Sequence, residues 1–503
     1  MRCRSLHRTL LLVAVIAGAF AAPAAAQQVA VAAPSALDSL RPRIRRLIDS
    51  LHAPSLAIAV AQHGTIIWEE GFGYADVARK IPATPNTLYS MASISKPITA
   101  TGLMTLVERG KIHLDHPANE YLGRGKITGY AADAREATVE RVMSHTAGLP
   151  LHYRFFYDGF AEKRPSMDDA IARYAIVVFP PGKVYNYANL DYGLVEEMIA
   201  HASGESYESY MRRAVFAPLG MPRTAIGTGR GLTGAAVRYD DSLKAVPYYD
   251  FDHRGASAVW TTAHELVRFG MFHMHDHLPN QKQILADSTI TAMQHARTPG
   301  DTAHAYGLGW GLDDDHGYRK VQHTGGMPGV ATVLDLYPSQ DLAVVVLGNQ
   351  SNPLPFLIAS QIENVLLPGR AQAIVAERAT QQGRSRTPFA APTDLVGDWS
   401  GTVRAYDRTL PIAVRVKSDE VLVRLGSGPD ALWTLLNRPR YENQMLEGQF
   451  VGNVPTGDAL RYQHNLVLSL WNADGKLRGF VASVATNRPV GGAVSSYAEL
   501  TKQ

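Results

Sequence analysis

The chain has 503 residues, 49 Lys and Arg against 46 Asp and Glu, a formal net charge of +3, 46% hydrophobic residues and one cysteine. That length is too great for one compact core and predicts at least two domains. The near balance of charge excludes the basic footprint of nucleic-acid binding, and a lone cysteine excludes a disulfide framework or a multi-thiolate metal site.

Residues 1–26 carry Arg2, Arg4 and Arg8 but no acidic residue, then an apolar run from Leu10 to Ala22 and the small residues Ala24-Ala25-Ala26. This is the pattern of a secretory signal peptide cleaved after Ala26. Its removal leaves 46 basic and 46 acidic residues in 477 and takes Cys3 with it. The expected working chain is neutral and thiol-free, periplasmic or secreted. No stable membrane anchor is expected: Cys3 precedes the apolar run, and no later stretch approaches ~18 uninterrupted apolar residues.

Ser35 to Leu51 predicts a helix, with Ile44, Leu47 and Leu51 at three-to-four spacing. Strand-like runs follow at Ser55 to Gln62 and Thr65 to Gly71, joined by the turn pair His63-Gly64. A helix-rich middle extends to about residue 296. Strands return at Val330 to Tyr337 and Leu342 to Gly348, around Pro338-Ser339-Gln340-Asp341. The order predicts an α+β domain over 27–368, with an antiparallel sheet built from both its ends, flanking helices and a helical subdomain. Residues 369–392, rich in Gly, Gln, Arg, Pro and Ala, predict a linker. Short alternating runs at Gly401 to Ala405, Leu410 to Lys417, Val421 to Leu425, Leu466 to Trp471 and Gly479 to Val484 predict a small all-β barrel or sandwich over 393–503.

Three short motifs can carry chemistry. Ser93 and Lys96 share a face if a helix begins near Ser93, so the amine can take the hydroxyl proton as Ser93 attacks a carbonyl. The helix is supported by the stripe Ala100, Leu103, Met104 and Val107 and the stop Gly110, and Pro97 is tolerated in its first turn. Tyr187-Ala188-Asn189 pairs a phenol able to act as phenolate base and then as acid with an amide able to hold a substrate carbonyl. His323-Thr324-Gly325-Gly326 precedes a strand; a glycine-rich edge admits a substrate backbone, and the Gly326 amide can join that of Ser93 as an oxyanion hole. Each motif is weak alone, and Tyr441-Glu442-Asn443 and His253-Arg254-Gly255 compete with the last two.

Together and in this order, the motifs resemble the serine β-lactamase and penicillin-binding protein superfamily, particularly its class C β-lactamase-like branch. Met143-Ser144-His145-Thr146-Ala147-Gly148-Leu149-Pro150, Pro218-Leu219-Gly220-Met221, Tyr306-Gly307-Leu308-Gly309-Trp310 and His323 through Gly329 are similar to further landmarks of that branch, over about residues 36–367. The resemblance implies acylation of Ser93, proton handling by Lys96 and Tyr187, and substrate orientation by Asn189. It also implies a lipocalin-like nature for the tail starting near Leu395-Val396-Gly397-Asp398-Trp399. The family's third motif usually begins with lysine. His323 stands there instead, and a largely neutral imidazole lacks the permanent cation that anchors a substrate carboxylate.

Two histidine- and aspartate-rich segments compete for attention. His273-Met274-His275-Asp276-His277 follows a helix opened by Thr262 and Glu265, where His273 and His277 fall four apart but lack a third ligand. Asp313-Asp314-Asp315-His316-Gly317 lacks calcium-loop spacing and predicts a charged hairpin tip.

The expected function is an exported serine hydrolase that cleaves an ester or amide in a small-molecule or peptide substrate, peptidoglycan fragments included, without metal or cofactor. The alternatives are a D-alanyl-D-alanine carboxypeptidase, a β-lactamase, or a catalytically silent relative that binds peptidoglycan or a partner in the same cleft. Oligomeric state is not readable from the residues.

Overall fold

The computed structural model describes residues 35–300, 304–381, 388–429, 431–486 and 491–503. The expected signal peptide lies outside the described residues. A short helix at Ser35–Asp38 and α1 (Leu40–Leu51) occupy the segment expected as one helix. Strands β1 (Ser55–Gln62) and β2 (Thr65–Asp76) then form a hairpin. At its turn His63 and Gly64 have φ of 52° and 69°. Two consecutive positive φ values match the right-handed twist of the flanking strands, which is why a glycine stands second.

The central helix α2 (Ser95–Glu108) is buried from Ser95 through Leu106, so it has no solvent face and the predicted stripe is one side of an enclosed core helix. Strand β3 (Tyr153–Tyr157), α3 (Asn189–Ser203) and α4 (Ala263–Phe272) follow. The sheet is completed by β4 (His304–Tyr306), β5 (Gly311–Asp315), β6 (Tyr318–Met327), β7 (Val330–Tyr337) and β8 (Leu342–Gly348). With an end strand at Ile81–Pro82 beyond β2, the antiparallel order is β4-β5-β6-β7-β8-β1-β2. The join of the two chain ends is the β1–β8 ladder, in register from Leu56↔Gly348 to Gln62↔Leu342.

Strand β1 is buried on both faces, and its packing partners alternate. Leu56, Ile58 and Val60 pack with Ile44 of α1 and with Ile358 and Ile362 of α5 (Leu354–Leu366), whereas Ala57, Ala59 and Ala61 share a cluster with Leu266 and Phe269 of α4. Small residues on the second face let α4 lie close, as Gly270 does against Leu336.

The first half of the expected linker 369–392 is helical. Helix α6 (Arg370–Gln381) is built of good helix formers, and Arg370 at its start is tied to the catalytic domain by ion pairs to Asp315 at 2.8 Å and Glu363 at 2.8 Å. Asp315 is therefore part of a buried network with Arg370 and Tyr337, not only of a charged hairpin tip.

The C-terminal region is a nearly closed antiparallel barrel: β9 (Gly397–Arg404), β10 (Thr409–Val416), β11 (Val421–Leu425), β12 (Thr434–Leu435), β13 (Asn437–Glu442), β14 (Met445–Phe450), β15 (His464–Ala473), β16 (Lys476–Ala485) and β17 (Gly492–Lys502), ordered β12-β11-β10-β9-β17-β16-β15-β14-β13. Trp399, Val414, Leu468 and Leu500 fill its interior. This all-β domain is fastened to the catalytic one by strand pairing, with Gly492 and Ala493 opposite Arg154 and Tyr153 of β3. Ion pairs reinforce the contact: Asp458 meets Arg154 at 3.1 Å and Arg173 at 3.2 Å, and Arg461 meets Glu162 at 2.5 Å.

Candidate active site

Ser93 lies in a 3-10 turn, Ala92–Ile94, that leads into α2, so the helix proper starts two residues later than the serine. Ala92 has φ of 47°, a left-handed conformation disfavoured for a residue with a Cβ. The turn is held against β6. A Cβ on Gly325 would come within 2.2 Å of both the Met91 carbonyl oxygen and the Thr332 Oγ1, so only glycine permits this approach, and Thr332 donates to that same carbonyl at 3.1 Å. Gly326, the next residue, has open space around its α-carbon and faces the cleft. The β5 ladder stops at Gln322, which leaves the His323–Met327 half of β6 as the free edge expected from its glycines.

Lys96 Nζ is hydrogen-bonded to Ser93 Oγ at 3.1 Å and donates to Asn189 Oδ1 at 2.6 Å. Lys96 is fully buried, and burial holds its amine well below the ordinary lysine range against the opposing pull of the Asp191 carboxylate. An ammonium stripped of water costs more than a neutral amine, so the lone pair is available beside the serine. The amine also lies 4.5 Å from the centre of the Tyr187 ring.

Burial raises the Tyr187 phenol above its ordinary value, with a hydrogen bond to Ser93 acting in the opposite sense. Tyr187 is thus a protonated hydroxyl in this pocket. A phenol held in its protonated form suits the acid half of the expected role, protonation of a leaving group.

His323 is 6% exposed and is pushed down to about 3 by burial and by the nearby Lys96 charge. Its Nδ1 lies 2.8 Å from the Thr324 carbonyl oxygen, an acceptor only, which assigns the proton to Nδ1 and leaves Nε2 to accept from the Tyr306 hydroxyl at 3.0 Å. It is a neutral, inward-turned group. Thr324 and Gly326 are exposed beside it.

Two clefts meet at Ser93, Tyr187 and Gly326. The larger, about 640 Å3, runs past Asn189, Tyr239, Val246 and Met327 to Tyr153 and Phe155 of β3 and to Ala485 and Gly491 of the barrel. The smaller, about 440 Å3, passes Tyr306, Asp313, His323 and Thr324. Neither is lined by lysine or arginine among the described residues, and Asp240 and Asp241 line the larger. All eight sequence-predicted site residues thus come together.

The competitors separate from this centre. His253 is buried in a hydrogen bond to Asp252 at 2.7 Å, and Tyr441 lies on β13. Helix α4 ends at Phe272, so His273 caps it and turns inward to Thr101 at 2.9 Å, while His277 reaches Asp287 at 3.2 Å. The expected i, i+4 sharing of a helical face is therefore absent, and no cluster of three metal-ligating side chains occurs among the described residues.

Sequence reasoning passed over one feature. His145 Nδ1 and Asp191 Oδ2 lie 2.6 Å apart, enclosed directly behind Tyr187 and Lys96. The signal available was the position of Asp191 two residues after Asn189.

The family model described as Beta-lactamase matches residues 40–362. The chain belongs to the beta-lactamase family. Its homologues there are serine hydrolases. Penicillin-binding protein 4* of Bacillus subtilis (strain 168) is 26% identical to this family member over 341 residues, covering 62% of this chain and 72% of that protein. Among solved structures, the octameric penicillin-binding protein homologue from Pyrococcus abyssi is similar with a TM-score of 0.57 at 20% identity, over 92% of this chain and 99% of that one. A class C beta-lactamase is similar with a TM-score of 0.54 at 18% identity, over 66% of this chain and 95% of the other. These likenesses establish the fold shared with the β-lactamase and penicillin-binding protein superfamily.

Proposed function

We propose that this protein is an exported hydrolase that cleaves an ester or amide through an acyl-enzyme on Ser93. The observation that carries the proposal is the hydrogen bond between Ser93 and a buried lysine held below its ordinary range. As the carbonyl carbon is attacked, the Ser93 hydroxyl proton passes to the Lys96 lone pair, the Oγ–C bond forms and the carbonyl π pair moves to its oxygen. The amides of Ser93 and Gly326 receive that oxyanion. Collapse expels the leaving group, which takes a proton from the Tyr187 hydroxyl, itself resupplied from the Lys96 ammonium. Water then attacks the ester on Ser93 by the same groups in reverse roles. Asn189 orients both Lys96 and the substrate carbonyl.

The substrate is uncharged or cationic around the scissile bond. Neutral His323 and the carboxylates of Asp240, Asp241 and Asp313 at the cleft walls favour it over one that presents a carboxylate. Aryl or short-chain esters and amino-acyl amides fit this better than D-alanyl-D-alanine peptides or cephalosporins. Ser93→Ala is expected to abolish turnover and covalent labelling by a serine-directed phosphonate; full activity with labelling retained would end the proposal. Across a short-chain aryl ester, a D-alanyl amide, a D-alanyl-D-alanine peptide and a chromogenic cephalosporin, the ester is expected to be hydrolysed faster than the cephalosporin, and the reverse order would overturn the substrate preference.

A further inference from the structure

Behind the groups that handle the Ser93 proton lies a second titratable pair, His145 and Asp191, with side chains 0% and 2% exposed. The 2.6 Å contact from Nδ1 to Oδ2 is far shorter than the 3.4 Å approach of the Ala188 amide to the same nitrogen. Nδ1 and Oδ2 thus share one hydrogen in a short, enclosed bond. The outer atoms of the pair, His145 Nε2 and Asp191 Oδ1, have no hydrogen-bond partner among the described residues.

Three contacts tie this pair to the reacting groups. The Asn186 amide donates to the His145 carbonyl at 2.9 Å, the His145 ring sits 4.4 Å from that of Tyr187 and 4.9 Å from that of Tyr306, and Asp191 lies in the first turn of α3 with Asn189, the acceptor of Lys96. The segment from 186 to 191 is thus pinned at both ends around Tyr187.

The titratable groups facing the pair are Lys96 from α2, Tyr185, Tyr187 and Tyr192 around the start of α3, Tyr306 at the end of β4 and His323 from β6. Asp191 is the only carboxylate among them. Burial pushes its carboxyl upward and Lys96 opposes that; burial with the Lys96 charge holds His145 neutral. An ammonium formed in so dry a pocket needs a counter-charge, and no other acidic group of this set can supply one.

We propose that His145 and Asp191 are positioning residues of the Ser93 site, which lock Tyr187 and Asn189 around Lys96 and set the Asp191 carboxylate against the ammonium formed when Lys96 receives the Ser93 proton. Asp191 exchanges no proton with substrate; it stays hydrogen-bonded to His145, and its ionised form is the counter-charge of the Lys96 ammonium. This rests on the acyl-enzyme function proposed above, but the two fail differently: activity surviving Ser93→Ala removes the first, whereas the second is read in variants that retain Ser93.

The test uses the full chain, an aryl ester and active-site titration with a fluorophosphonate, so that misfolded molecules drop out of the rate. Asp191→Asn is expected to lower kcat per titrated site about 30–100-fold with KM changed less than about threefold, within the range of acid–base catalysis. Its kcat/KM profile is also expected to lose activity at a lower pH than that of the unaltered protein, because an ammonium without its carboxylate is harder to form. His145→Asn, whose amide can still donate to Asp191, is expected to keep at least about tenfold more activity than His145→Ala. An unshifted acidic limb in Asp191→Asn overturns the proposal whatever happens to kcat. If that variant yields no titratable sites, the His145 pair decides, and equal losses in Asn and Ala overturn it.

Discussion

Gly325→Ala tests how the nucleophile is placed without touching any group that handles a proton. The added methyl would lie 2.2 Å from the Met91 carbonyl oxygen and 2.2 Å from Thr332 Oγ1. Ordinary contact lies near 3.4 Å, so the turn bearing Ser93 and strand β6 must separate by about 1 Å, a shift at the reacting centre that typically costs on the order of 100-fold in rate. Overpacking of this kind destabilises by about 1–3 kcal/mol, which lowers the melting temperature by only a few degrees in a domain of this size. The expected result is a folded protein with kcat for an aryl ester down about 100-fold. Gly326→Ala is the control, since nothing lies within 4 Å of its added methyl. It is expected to melt like the unaltered protein and to change KM, because the methyl projects into the cleft. If Gly325→Ala kept kcat within about threefold, or if the two variants were indistinguishable, the close approach of turn and strand would not be what positions Ser93.

Tyr187→Phe is expected to slow the ester reaction by about 100-fold or more while leaving fluorophosphonate labelling measurable, since the phenol is assigned to the leaving group; unchanged turnover would remove it from proton transfer. His323 and His273 are both pushed down to about 3 by burial. Below a pH of about 6.5 the unfolded chain binds protons at these positions that the folded one refuses, so urea midpoints are expected to fall as pH drops from about 6.5 towards 3. Replacing His273 by Gln is expected to flatten that slope, and an identical slope would count against it. Asp458→Ala strips a counter-charge from Arg154, whose neighbours Tyr153 and Phe155 line the larger cleft. Arg154 keeps its ion pair with Glu162, so the loss is smaller than the about 3–5 kcal/mol of an uncompensated buried charge; the barrel is expected to loosen and KM to rise with kcat little changed, and a change confined to kcat would refute the link between the domain contact and the cleft wall.

Much of the arrangement is written locally. The β1–β2 hairpin follows from His63-Gly64 and its flanking apolar runs, and the β7–β8 hairpin from two Val- and Leu-rich stretches, because turn chemistry and short apolar runs buried on both faces act over a few residues. The order of Ser93, Lys96, Tyr187, Asn189 and His323–Gly326 was legible for the same reason: each motif carries its chemistry within four positions. What depended on long-range approach was not legible. Composition made 369–392 look like a linker; the Ala, Arg, Gln and Glu of Arg370–Gln381 are good helix formers, but the ion pairs of Arg370 with Asp315 and Glu363 exist only once the sheet has formed.

Charge states divide in the same way. Sequence supplies a tyrosine next to a nucleophile and a histidine in place of a lysine; only enclosure pushes the phenol up and the imidazole and the lysine amine down. The His145–Asp191 pair joins residues 46 positions apart and became visible only in three dimensions. The sequence therefore determined which functional groups are present and in what order, since motifs and turns are local. The tertiary structure decided their protonation, their distances and the part of the barrel that walls the cleft, because burial and contact between distant segments exist only after the chain has closed on itself.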